Sequence, residues 1–159
     1  MPGRPYLVAP VAALARTDPR ARLVQGSDLS RLPALLLEAY RGTVDDGGET
    51  EDDVRGELDH LRAGRSGPPI HEASLVVEDA SGGLASVVLT TRWWGTPFLC
   101  FVVTAPEHRG RGLATALVRS AAAAAAGLGE TELGLIVTEG NPARALYARL
   151  GFIERPRPT

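Results

Sequence analysis

The segment 104–118, TAPEHRGRGLATALV, concentrates more special residues than a turn between strand and helix requires. Gly110 and Gly112 let the backbone turn tightly and approach a ligand, and the first-turn amides of the following helix have no partners inside it. Those donors, with the positive end of the helix dipole, favour a phosphate or pyrophosphate. Arg109 and Arg111 add charge. Taken alone, the loop also reads as a glycine-rich turn carrying two solvated arginines. Two other phosphate loops are excluded. A dinucleotide fingerprint needs a third glycine where Thr115 stands and normally follows the first strand of its unit. A P-loop needs a lysine, and all seventeen basic residues of the chain are arginine.

Other reactive side chains are sparse. Cys100, the single cysteine, sits in the run FLCFVV and reads as core. His60, His71 and His108 lack ligand-like spacing, so no metal is expected.

The loop needs a strand before it and a helix after it, and the pattern supplies both. PFLCFVVT is a nearly continuous apolar run and reads as a central strand. Leu113, Leu117 and Ala121, with Ala114 and Val118, mark one face of a helix that ends at Gly127 and Gly129. Upstream, the polar cluster Ser27, Asp28 and Ser30 predicts a helix start; the helix runs to about Tyr40, with Ser30 as its cap and Pro33 in its first turn. The acidic, glycine-rich stretch GTVDDGGETEDD is a loop. Thr50 with Asp53 resembles a capping box for a second helix over 51–63. ASLVVEDASGGLASVVLTTRWW reads as a hairpin, and Gly95 to Pro97 as the next turn. ELGLIVT is a buried strand, NPARALYARL a short helix and GFIERPRPT the start of a last strand. The order is βααββ-βαβα(β), an α/β (α+β) arrangement on one core, expected as a single domain over 1–159. Residues 1–22, rich in Pro, Ala and Arg, read as a loosely specified arm or edge strand.

Composition is that of a soluble globular chain, with 44% hydrophobic and 23% charged residues. A formal net charge of -2 and scattered arginines give no nucleic-acid footprint. No apolar stretch approaches the length needed to span a bilayer, so no membrane partner is expected. The N-terminal apolar patch is too short and too broken by prolines for a signal peptide. With one cysteine and no intrachain disulfide, the expected compartment is the reducing cytoplasm.

VVTAPEHRGRGLATALV resembles the acetyl-CoA-binding segment of the GCN5-related N-acetyltransferases (GNAT). That segment has an arginine or glutamine, a glycine three positions on, and a glycine or alanine two further; Arg109, Gly112 and Ala114 match. A second family feature, a strand, a short helix and the ending L-Y-x-x-x-G-F, is matched by LIVTEGNPARALYARLGF with Leu146, Tyr147, Gly151 and Phe152. The two motifs cover about residues 98 to 153, in the family's order. The resemblance implies a mixed, mostly antiparallel sheet flanked by helices on both faces.

It further implies an acetyl-CoA-dependent N-acetyltransferase that modifies a primary amine by direct attack in a ternary complex, with acetyl-CoA as co-substrate. The acceptor is a small-molecule or peptide amine. The pyrophosphate would lie on the amides of Arg109, Gly110, Arg111, Gly112, Leu113 and Ala114, with Thr115 close by. Pantetheine would pair with Val102, Val103 and Thr104, and an amide near Val103 would serve as oxyanion donor. Tyr147 matches the frequent general acid; a phenol of reference pKa about 10 stays protonated at neutral pH.

A base is needed because an alkyl ammonium of pKa about 10.4 is only about 0.04% neutral at pH 7, a cost of roughly 4.6 kcal/mol. Some relatives place a glutamate on the pantetheine-pairing strand, but PFLCFVVT contains no acid. Glu139 is the expected base; Glu72, Asp45, Asp46 and a water chain are alternatives. The family's cofactor asparagine would fall at Gly140, and Asn141, one residue later, is expected to take its place. Tyr40, Asp45 and Asp46 would wall the acceptor site and, with Glu49 and Glu51, make it acidic. The family's last two strands would be clipped after Phe152, leaving the N-terminal arm or a partner subunit in a homodimer to complete the sheet. The missing strand carboxylate and displaced asparagine also suit a non-catalytic acyl-CoA-binding or regulatory module.

Overall fold

A computed structural model describes residues 3–158. Its seven strands are β1 (Tyr6–Pro10), β2 (Ala21–Leu23), β3 (Leu75–Glu78), β4 (Leu84–Trp93), β5 (Thr96–Thr104), β6 (Glu132–Ile136) and β7 (Ile153–Arg155). They form one sheet in the order β2-β3-β4-β5-β6-β1-β7. All neighbours are antiparallel except β5 and β6.

Alternation along the strands divides the core. Leu75, Val77, Val88, Leu99, Leu133 and Leu135 face the helices α1 (Val11–Leu14), α4 (Leu113–Gly127) and α5 (Ala143–Arg149). Val76, Val87, Leu89 and Val103 face α2 (Leu32–Tyr40) and α3 (Glu51–Arg62). This is the period-two pattern of strands covered on both faces. The alanine run lets α4 lie close on the sheet: Ala121, Ala122 and Ala125 are fully buried beside Leu117 and Val118. Strong helix propensity and small size work in the same direction there.

The capping box of α3 forms as expected, with Asp53 N donating to Thr50 Oγ1 at 3.2 Å and Thr50 N to Asp53 Oδ2 at 2.9 Å. The start of α2 differs from expectation. Its cap position is Arg31, without a side-chain cap bond. Residues 26–28 form a 3-10 turn instead. Asp28, fully buried, accepts from the Gln25 amide and from the guanidinium groups of Arg22 and Arg31. Asp28 therefore ties β2 to the start of α2, a task its sequence position does not reveal.

The N-terminal segment is the main departure. Within the described residues it is neither loose nor confined to an edge: β1 lies inside the sheet between β6 and β7 and completes it. Tyr6, Leu7, Val8 and Ala9 are all buried. The prolines delimit elements rather than break them, since Pro10 closes β1 and caps α1. Gly134 of β6 makes room for the incoming strand; a Cβ there would stand 2.8 Å from the Tyr6 ring. Ala21–Leu23 supplies the edge strand β2. The β4–β5 turn is also tighter than expected: Trp93 pairs with Thr96, leaving Trp94 and Gly95 as a two-residue loop, both with positive φ. Trp94 is held there by packing on Tyr6 and Trp93.

Two features of β5 open the sheet. Leu89 pairs with Phe101 and Thr90 with Leu99, so Cys100 is an extra, bulged residue that bends the strand. β5 pairs with β6 only through Phe98 and Leu99. Beyond them the strands part, and the far edge of β5 is left without a neighbour.

Candidate active site

The gap between β5 and β6 is the floor of two adjoining cavities. The first, of about 600 Å³, is bounded by Val102, Val103 and Thr104, by the loop before α4, and by α5. Gly110 and Gly112 take φ of 78° and 73°, the left-handed region where a side chain is strained. Their conformation turns the chain so that α4 begins at Leu113 with Gly112 as its cap and no capping side chain. The first return bond of the helix runs from Ala116 N to Gly112 O. Among the described residues, no backbone carbonyl accepts from the amides of Gly110 to Thr115. Leu113, Ala114 and Thr115 line the same cavity. Such a row of free donors at the positive end of a long helix is complementary to phosphate oxygens.

The two arginines of the loop separate. Arg109 lines the cavity and donates to the Ala39 carbonyl at 2.8 Å, anchoring the loop to the last turn of α2. Arg111 is exposed beside His108 Nδ1 at 3.2 Å and does not line the cavity. His108 and Arg149 line it and were not anticipated. Their signal was weak, since neither occupies a motif position.

The second cavity, of about 730 Å³, lies on the α2–α3 side. Asp45, Asp46, Glu49 and Glu57 line it, with Arg4 from the arm before β1. Tyr40, Asp45, Asn141, Tyr147, Val102 and Val103 belong to both cavities, so these residues form their junction. Asp45 is held there by Thr138 Oγ1 at 2.6 Å and by Asn141 Nδ2 at 3.1 Å. Asn141 in turn accepts from the Ala143 amide at 2.9 Å, fixing the start of α5. Its side chain thus bridges α5 to the acidic loop. Asp46 is bound by the amides of Gly42 and Gly48, which hold its carboxyl below the usual range.

Tyr147 is the best-defined group at the junction. It is 6% exposed, its ring packs edge-on to Phe152, and among the described residues its hydroxyl has no hydrogen-bond partner. Burial, and secondarily the Asp45 carboxylate, push its pKa up to about 12. Tyr40 is raised well above an ordinary phenol by burial and then by the charges of Glu57, Asp45 and Glu49.

Glu139, expected as the base, is placed elsewhere. It is exposed, its amide donates to the Gly3 carbonyl at 2.8 Å, and its carboxylate accepts from the Gly3 amide at 3.3 Å. It lines neither cavity. Glu72 is likewise exposed and outside both. Glu57 was not anticipated. It sits on α3 beside the buried stripe Val54, Leu58 and Leu61, and flanking positions of a buried stripe face the margin of what the helix covers. Among the described residues no group of three or more potential metal ligands occurs, and no helix is long and apolar enough to cross a membrane.

A mixed sheet splayed at its parallel pair, with an amide-lined loop opening a helix beside the gap, defines the acetyltransferase class of α+β folds. The chain belongs to the acetyltransferase (GNAT) family, whose model matches residues 36–152. No curated protein sequence matches significantly. Among solved structures, a GCN5-related N-acetyltransferase from Sphaerobacter thermophilus superposes with a TM-score of 0.71 at 22% identity, over 98% of this chain and 50% of that one. The chain therefore spans half the length of that relative. A PaiA N-acetyltransferase from Thermoplasma acidophilum, in complex with coenzyme A, gives 0.67 at 15% identity over 87% of this chain and 91% of that one. A spermidine N-acetyltransferase chimera from Vibrio cholerae and hSSAT gives 0.61 at 25% identity, covering 86% and 81%.

Proposed function

We propose that the chain is an acetyl-CoA-dependent N-acetyltransferase that modifies a primary amine by direct attack in a ternary complex. The observation that carries the reading is the accessible, unpartnered hydroxyl of the largely buried Tyr147 at the junction of a phosphate-complementary cavity and an acidic one. The coenzyme A complex of the Thermoplasma structure supports the donor. The residues suit that ligand: amides 110–115 for the pyrophosphate, the free edge of β5 at Val102 to Thr104 for pantetheine, and Arg109 and Arg149 for charge. Acetyl-CoA supplies an acyl group activated as a thioester.

The rest of the chemistry belongs to the chain. An amide on the free edge of β5 near Val103 stabilises negative charge on the acyl oxygen. Tyr147 donates to the departing sulfur. Its phenol, at about 12, is a weaker acid than a thiol of about 8.5, so it acts by hydrogen-bonding the sulfur while the bond breaks rather than by ionising beforehand. The acidic cavity attracts and orients a cationic amine.

Thiol release from acetyl-CoA across a panel of primary amines, beside calorimetric acetyl-CoA binding, tests the proposal. Saturable release that needs the amine supports it. Tight binding with no amine-dependent release at any pH from 6 to 9 identifies a non-catalytic module instead.

A further inference from the structure

The acceptor's proton needs a destination that neither Tyr147 nor the open edge of β5 supplies. An ammonium must become an amine before it can attack, β5 carries no acid, and Glu139 lies outside both cavities. The second cavity offers four carboxylates, and three are already engaged. Asp45 accepts from Thr138 and Asn141, Asp46 from the Gly42 and Gly48 amides, and Glu49 from the Gly47 amide at 3.0 Å. Among the described residues Glu57 alone of the four has no hydrogen-bond or ion-pair partner.

A group of acids would mean little by itself, because charge runs at a surface are usually solvated. Here a second, independent feature faces the same space: the Tyr147 side chain, more than nine-tenths buried as a whole, lines that cavity with an accessible, unpartnered hydroxyl. Glu57, itself exposed at the rim, lines the cavity from α3 together with Tyr40 and the bulged stretch Cys100–Phe101 of β5. We infer that Glu57, on α3, is the carboxylate that binds the acceptor's ammonium and takes its proton, in place of the acid absent from β5. The inference rests on the acetyl-transfer reading.

The surroundings suit the task. Partial desolvation and the neighbouring Glu49 and Asp53 raise the proton affinity of Glu57, while Arg4 opposes them. On its other side Glu57 lines a third cavity with Arg4, Asp52, Asp53, His60 and Arg157, while Tyr40 and Asp45 line the second from α2 and the following loop. A carboxyl raised above the ordinary glutamate range is a better base near neutrality. The balance is complete without further reactants. The acceptor nitrogen loses two protons as the C–N bond forms and the C–S bond breaks. One leaves through Glu57 to solvent; the other ends on sulfur by way of the Tyr147 hydroxyl.

The test compares wild type with Glu57→Gln and Glu57→Asp, using acetyl-CoA and a primary-amine panel that includes butylamine and 1,4-diaminobutane. Glu57→Gln should lower kcat/KM for the amine about 10²-fold at pH 7. Its rate should climb about tenfold per pH unit from 7 to 9, as the amine loses its proton unaided, while the wild-type profile levels off. Glu57→Asp should retain part of the rate, and calorimetry should show unchanged acetyl-CoA binding in both variants. Independently of turnover, carbon-labelled glutamate should reveal one carboxyl titrating above the ordinary range of about 4.3, lost in Glu57→Gln. Parallel pH profiles, an unaltered Glu57→Gln in an active protein, or no such carboxyl overturn the inference alone. A wild type that releases no thiol with any amine overturns the acetyl-transfer reading and this inference with it.

Discussion

The two walls of the junction are built from different materials. The wall against the first cavity is backbone: amides 110–115, the unpaired edge of β5 and two glycines in the left-handed region. The wall against the second is side chain, with carboxylates brought together from α3, the loop before it and the turn after α2, and an arginine from the N-terminal arm. Backbone recognition needs particular residue types at fixed spacing, because only glycine tolerates the required φ and only a helix start leaves a row of amides free. Side-chain recognition needs only that charges converge in space. On the proposed reading the first wall suits a single cosubstrate, and the second would accommodate a different acceptor without disturbing the fold.

Four substitutions would break or sharpen this contrast. The largest effect belongs to the frame that carries both walls. Asp28→Ala removes a fully buried carboxylate and leaves Arg22 and Arg31 without it, at a cost of about 3 kcal/mol of stability in chemical denaturation. Neither Michaelis constant should move in the protein that remains folded. The pH dependence has a definite sign. The Arg22 guanidinium foremost holds the Asp28 carboxyl well below its unfolded value of about 3.9. Its contribution is therefore present above about pH 4 and is lost as pH falls through the depressed folded value. Stability measured against pH in that acid window should be flatter for Asp28→Ala than for wild type.

Tyr147→Phe comes next, lowering kcat about 10²-fold while calorimetric acetyl-CoA binding stays unchanged. Equal loss of binding and turnover would make the tyrosine part of the backbone-built wall instead. Gly112→Ala forces a side chain into a φ of 73°, a strain of about 1 to 2 kcal/mol. It should raise KM for acetyl-CoA about tenfold and leave KM for the amine alone. Asp45→Asn is the smallest and the mirror image. It weakens the ties to Thr138 and Asn141 and should raise KM for the amine about threefold. It should also lower the Tyr147 pKa from about 12, readable by ultraviolet titration, because the carboxylate charge helps keep the phenol protonated.

The same contrast governs what the sequence made legible. The helix after Gly112, the α3 capping box and the β3–β4 hairpin all follow from local rules and occur where the residues call for them. β1 does not. Its prolines suggest an irregular arm, and only the space above Gly134, more than a hundred residues away, explains why Tyr6 enters the sheet. Ser30 looks like a cap, yet the tertiary pull of Arg22 and Arg31 on Asp28 reshapes that turn. Of the acidic residues, Asp45 and Asp46 were readable from their glycine-rich loop. Glu57 was not, because a charged residue on an amphipathic helix has no local mark distinguishing solvent from a cavity rim.

The most direct test is a crystal structure with coenzyme A. The account predicts the pyrophosphate on amides 110–115, pantetheine along the open edge of β5, and the sulfur within hydrogen-bond reach of Tyr147, facing the cavity lined by Asp45 and Glu57. A pyrophosphate held away from that loop, or a sulfur turned away from Tyr147, would contradict it.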